Sequence, residues 1–137
     1  MAQQLGVVIA SRELRRSGRT GQPVVVLFGK PRRDSRKDWA CPFQIKGLGD
    51  SEVYKAFGVD AVSALTNALE GVRVALEKSG ERLSWIGGEK GDSGFPRFVP
   101  MFFGLELAER LGKMIDEQLE HLARSAIGGH KRRKRGG

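Results

Sequence analysis

The sequence predicts an α+β fold: a four- to five-stranded antiparallel meander covered by one helix, with a C-terminal helix and a disordered basic tail beyond it. Three features carry this. Between residues 5 and 57, four short apolar or alternating stretches are separated by turn-forming residues. Helical spacing takes over at residues 59–80 and returns at 98–128. Short connections between successive strands favour antiparallel neighbours, and strands followed by helices make the class α+β.

The elements follow in order. "LGVVIASREL" (5–14) reads as a strand with Val7 and Ile9 on one side and Val8 and Ala10 on the other. Gly18, Gly21 and Pro23 mark a turn. "VVVLF" (24–28) is a β-branched run short enough for a buried strand. "GKPRRDSRKD" (29–38) is a polar loop. "WACPFQI" (39–45) alternates, with Trp39, Cys41, Phe43 and Ile45 on one face. Pro42 lacks an N–H, which places this strand at an edge or at a bulge. "GLGD" closes a hairpin onto "SEVYKAF" (51–57). Val62, Leu65, Leu69, Val72 and Leu76 then form one apolar stripe, the face expected to cover the sheet. Asp60 is the expected N-cap and Gly80 the stop. "RLSWIGG" (82–88) offers a short fifth strand, and "GGEKGDSGFPRF" (87–98) is a glycine-rich loop. In the last helix Pro100 suits the first turn. Leu105, Ala108, Leu111, Ile115, Leu119 and Leu122 make its stripe, and Gly128 ends it. The organisation is therefore a domain at 1–97, a helix at 98–128 and a tail at 129–137.

Hydrophobic residues at 39% and charged residues at 29% are proportions of a folded chain, so intrinsic disorder throughout is excluded. No apolar run reaches the roughly 18–20 residues of a membrane helix. "MAQQLGVVIASREL" has no basic stretch leading into a long apolar one, so no signal peptide is expected. The single Cys41 forms neither an internal disulfide nor a Cys-rich zinc site, which points to a cytoplasmic setting. The net charge of +8 is uneven. Residues 1–50 hold ten Lys/Arg against four Asp/Glu, residues 51–129 nine against twelve, and residues 130–137 five against none. A basic front and a basic tip suit a polyanionic partner.

Motifs for chemistry are missing. His121 and His130 stand in no H-x-x-x-H or C-x-x-C pattern, so no metal is expected. Cys41 falls on an apolar strand face, as a small core residue does. "GGEKGDSG" lacks the Lys-Ser/Thr ending of a phosphate-binding loop and meets Pro96 where a helix would start. Asp34 with Asp38, and Asp116 with Glu120, are acids of ordinary surface loops and helices. No cofactor and no enzymatic activity are expected. What remains is charge. One cluster, Arg12, Arg15, Arg16 and Arg19, straddles the turn after the first strand. A second, Lys30, Arg32, Arg33, Arg36 and Lys37, lies at the other end of that hairpin, close to Trp39. The third is Lys131, Arg132, Arg133, Lys134 and Arg135. Such side chains neutralise phosphates, and without interleaved exposed aromatics the binding is independent of base sequence.

Gly29–Lys30–Pro31, Trp39 with Cys41, Gly47–Leu48–Gly49, Gly58–Val59–Asp60–Ala61 with Ala64–Leu65, and Trp85 through Gly94–Phe95–Pro96 together resemble a small, uncharacterised bacterial domain family. The resemblance covers roughly residues 6–96. It implies a unit of strands and one helix and supplies no catalytic residues. The expected function is thus a non-enzymatic nucleic-acid-binding or ribonucleoprotein accessory role, with the 30–37 loop and the tail on phosphates. The alternative is a protein-interaction module of inhibitor, immunity or assembly-subunit type. It would use Phe102, Phe103 and Leu105 at the start of the last helix, through which the chain would also self-associate.

Overall fold

Side-chain alternation sets the sheet. In β2 (Val24–Gly29), Val24, Val26 and Phe28 are buried on one face while Val25 and Leu27 are half-buried on the other. The computed structural model describes residues 4–17, 21–35, 37–99 and 101–135, and their side chains except at 101 and 128–135. β2 pairs antiparallel with β1 (Val8–Arg16) on one side and with β4 (Trp39–Lys46) on the other. β3 (Arg32–Arg33) continues the line of β2 along β4, and β5 (Val53–Gly58) takes the opposite edge of β4. β6 (Leu83–Ser84) pairs with the end of β1. The order is β5-β4-β2-β1-β6, an antiparallel meander extended by β6, with β3 beside the end of β2. The expected short fifth strand is β6, and the loop expected at 29–38 contains the two-residue β3.

β4 is central, not the edge strand that Pro42 suggested. The Asn67 side-chain amide donates to the Phe57 carbonyl at 2.7 Å from the helix side, so that carbonyl points away from β4. By alternation Lys55, opposite Pro42, also turns its backbone groups away. The Pro42 nitrogen then faces the line of β2 and β3, at the break between them. The missing N–H falls where the ladder has no partner to bond it.

α1 (Ala61–Lys78) packs against β4 and β5. Asp60 caps it: its carboxylate accepts from the Ser63 N–H at 2.7 Å, and Ser63 Oγ lies 3.1 Å from the Asp60 N–H. The Ser63 backbone bond holds the Asp60 carboxyl below its usual pKa. Ser79 ends the helix and Gly80 follows at φ +70°, the left-handed stop expected there. The buried face differs from the expected stripe. It is Ala64, Ala68, Val72 and Leu76, with Leu65 and Leu69 at its margin, and Val62 is 74% exposed. Small residues let the helix axis approach the sheet, and in the first half of the helix the alanines, not Val62, face it. The core joins these to Leu14, Val24, Val26, Phe28, Cys41 and Leu83. Burial raises the Cys41 thiol pKa, as suits a core cysteine. In β1 the apolar start is outside instead: Val7, Val8 and Ile9 are exposed, and Leu14 is the buried residue.

The chain divides into two units, Met1–Arg97 and Phe98–Gly137. In the second, a 3-10 turn at Met101–Phe103 is followed by Gly104 at φ +92° and by α2 (Leu105–Arg135). The helix starts after Gly104 and not at Pro100, which lies outside the described residues. It also runs through Gly128, where the sequence pattern ended it, into the basic segment expected to be disordered. A glycine inside a helix costs only about 1 kcal/mol against alanine, which a long helix absorbs. No helix among the described residues is long and apolar enough to cross a membrane.

Candidate functional site

Face selection along β1 splits the first basic cluster. Arg12 is opposite Val26, on the core side. Its guanidinium lies 4.4 Å from the Trp85 ring centroid and 5.0 Å from that of Phe95, and it donates to the Ser93 carbonyl at 3.3 Å. Arg16 is bonded to Glu81 at 2.5 Å and to the carbonyls of Gln22 and Gly47. Arg15 faces outward within 3.5 Å of Glu13. Arg19 lies outside the described residues. Arg12 and Arg16 tie loops to the sheet, and Arg15 is paired within its own strand. The glycine-rich loop is the lid over Arg12: Gly94 has φ +75°, and a Cβ there would come within 2.6 Å of both Arg12 Nη1 and Trp85 Nε1.

The second cluster is arranged differently. Lys30 follows β2, and its backbone N–H donates to the Val7 carbonyl at 2.7 Å. Arg32 and Arg33 form β3, so their side chains go to opposite faces of the sheet. Arg33 lies over the Trp39 ring at 5.9 Å, as the expected proximity to Trp39 required. Arg32 is opposite Ala40, on the face turned away from α1. Lys37 sits at φ +73° in the turn back to β4, which the Asp34 N–H closes by donating to the Asp38 carbonyl at 2.7 Å. Arg36 lies outside the described residues. Among the described residues, Lys30, Arg32, Arg33, Lys37 and Lys55 have no ion-pair partner.

Register assembles a groove on that outer face. Ala40 is opposite Arg32 on one side and Phe57 on the other, and Pro42 is opposite Lys55. Gln4, Arg32, Arg33, Asp34, Ala40, Pro42 and Lys55 line an open groove of about 290 Å³. Ala40 and Pro42, both buried, form its floor. A Cβ at Gly6 would overlap the Arg32 guanidinium, so the bare glycine there gives it room. Of its cations, Arg32 and Lys55 belong to this face while the Arg33 guanidinium lies over Trp39 on the other, and Phe57, beside Ala40, is 50% exposed. A wider groove of about 740 Å³ lies along β1 and β6. Its arginines, Arg12 and Arg15, are the stacked and the paired ones, so it has no comparable charge.

Sequence reasoning missed Lys55 and Phe57. Their alternation with Tyr54 and Ala56 was readable, but their adjacency to Arg32 needs the register across β3, β4 and β5. In the second unit, Phe102, Phe103 and Leu105 are exposed, Phe102 by 84%. Exposed apolar side chains continue along α2 at Met114, Ile115, Leu119, Leu122 and Ile127. The side chains of Lys131, Arg132, Arg133, Lys134 and Arg135 lie outside the described residues. Among the described residues no group of three or more His, Cys, Asp or Glu is placed to hold a metal ion.

A family model described as a domain of unknown function, DUF6968, matches residues 10–97, more than half of the chain. No curated protein and no solved structure matches.

Proposed function

We propose, for a chain that belongs to the DUF6968 family of domains of unknown function, a non-enzymatic role in binding nucleic acid through backbone phosphates. Lys30, Arg32, Arg33, Arg36 and Lys37 in the β2–β4 connection and the cations at 131–135 are the contacts. The observation that carries this reading is the unpaired charge of that connection. In the strands and helix of the first unit, Arg12, Arg15, Arg16 and Arg73 are stacked or ion-paired. The unit's other described cations without an ion pair, Lys46, Lys55, Lys78, Arg82, Lys90 and Arg97, form no run like that at 30–37. Unpaired cations at one end of a sheet concentrate positive potential, and phosphate binding with counterion release follows.

The test is binding of labelled DNA and RNA at about 50 mM and about 200 mM salt, a span over which several phosphate contacts cost orders of magnitude. Replacing Lys30, Arg33 and Lys37 by Ala lowers the salt slope by about 0.7–0.9 for each phosphate that is no longer neutralised. The same change at 131–135 does so independently. Full-length protein that binds no nucleic acid at low salt refutes the reading.

A second reading rests on a separate observation, the exposed apolar residues Phe102, Phe103 and Leu105 at the start of α2. These suit a protein partner or a second copy of the chain. Salt-tolerant association that disappears in Phe102→Asp with Leu105→Asp is its sign.

A further inference from the structure

Resting on the nucleic-acid reading, we infer that the sheet face turned away from α1 is a binding site for single-stranded nucleic acid, with one base stacked on Phe57 and flanking phosphates held by Arg32 and Lys55. A large aromatic on the open face of an edge strand is 50% exposed and covers no core there. Its neighbours explain its presence better than packing does. Across β4 it faces Ala40, a side chain too small to screen it, and beyond Ala40 stands Arg32. On its own strand Lys55, two residues earlier, is on the same face. Arg32 and Phe57 are two strand spacings apart, about 10 Å. One aromatic plane and two cations thus flank a floor of Ala40 and Pro42.

That combination selects the ligand. Every base has a π-face, so an exposed aromatic beside cations accepts a single strand with little regard to sequence. A duplex keeps its base faces inside its own stack, and exposing one costs a few kcal/mol. It meets Arg32 and Lys55 through phosphates and gains nothing from Phe57. An acidic peptide would likewise use the cations alone. Asp34 also lines the groove, and its negative charge disfavours phosphates on its own side.

The experiment measures binding of full-length protein to a labelled single strand of about 12 nucleotides, within the range of small single-strand sites, and to its duplex. Phe57→Ala weakens single-strand binding at least fivefold, since a base–aromatic stack contributes about that factor or more. Phe57→Trp restores it, Phe57→Leu does not, and duplex binding stays within twofold for all three. Lys55→Ala weakens both ligands and lowers the single-strand salt slope by about 0.7. Thermal melts of each variant confirm the fold, which an exposed position leaves intact.

Phe57→Ala binding a single strand as the parent does overturns the inference. The general reading then survives if the variants at 30, 33 and 37 still lose affinity. Equal losses for single strand and duplex, or Phe57→Leu restoring affinity as well as Phe57→Trp, also overturn it. So does displacement of the strand by an oligoglutamate peptide with the same strength in parent and Phe57→Ala. No binding of any nucleic acid refutes both readings together.

Discussion

Arg12 occupies a core-side position of β1, opposite Val26, where alternation alone would place an apolar side chain. The planar guanidinium resolves the conflict by stacking between Trp85 and Phe95 and bonding the Ser93 carbonyl. Partly desolvated cation–π contact and a charged hydrogen bond each contribute on the order of 1–2 kcal/mol. Arg12→Ala is therefore expected to destabilise the protein by about 2 kcal/mol in urea unfolding, with nucleic-acid binding unchanged in the folded protein. Arg12→Lys recovers only part of it, because an ammonium supplies charge without a stacking plane. The sequence marked Arg12 as one of a run of surface cations. Its stacked placement depends on residues 81 and 83 positions later in the chain, Ser93 and Phe95, which no local pattern connects to it. Lys55 and Phe57 are the converse case. Their local pattern was plain, and their company with Arg32 was not.

At the scale of elements, α1 shows where periodicity misleads. Helical spacing placed an apolar stripe through Val62, Leu65, Leu69, Val72 and Leu76, and large residues weigh most in such a reading. The buried face shares Val72 and Leu76 with it, but in the first half of the helix Ala64 and Ala68 are the buried residues, in a helix that packs on β4 and β5. Close approach favours small side chains, and Gly58 shows how tight it is: a Cβ there would overlap the Ala64 backbone nitrogen in α1. Ala68→Leu is expected to destabilise by about 1–3 kcal/mol through overpacking. Val62→Lys should stay within about 0.5 kcal/mol, as surface changes do. Chemical denaturation of the two variants separates the faces, and the opposite ranking would restore the stripe through Val62. Caps were more legible than faces. Asp60 and Gly80 act through the nearest few residues, so their roles follow from local sequence. Pro42 was misplaced because an unbonded nitrogen can sit inside a sheet when a neighbouring strand is interrupted, and that interruption belongs to β2 and β3.

For the whole molecule, every buried residue of the core cluster lies between Leu14 and Leu83, inside the first unit. A chain ending at Arg97 is therefore expected to unfold in one cooperative transition, with the same near-ultraviolet signature of Trp39 and Trp85 as the full protein. A non-cooperative melt would place part of the stabilising contacts beyond residue 97. Composition, strand-then-helix order and the meander were determined by the sequence alone, because alternation, helical spacing and turn residues act over a few positions. So was the uneven charge, which is a matter of counting. Tertiary structure decided which cations are consumed and which are left over. Arg12 and Arg16 are drawn into loop contacts, whereas Arg32 and Lys55 are brought onto one open face beside Phe57. Strand register sets that partition, since a shift by one residue would send each of these side chains to the other face of the sheet.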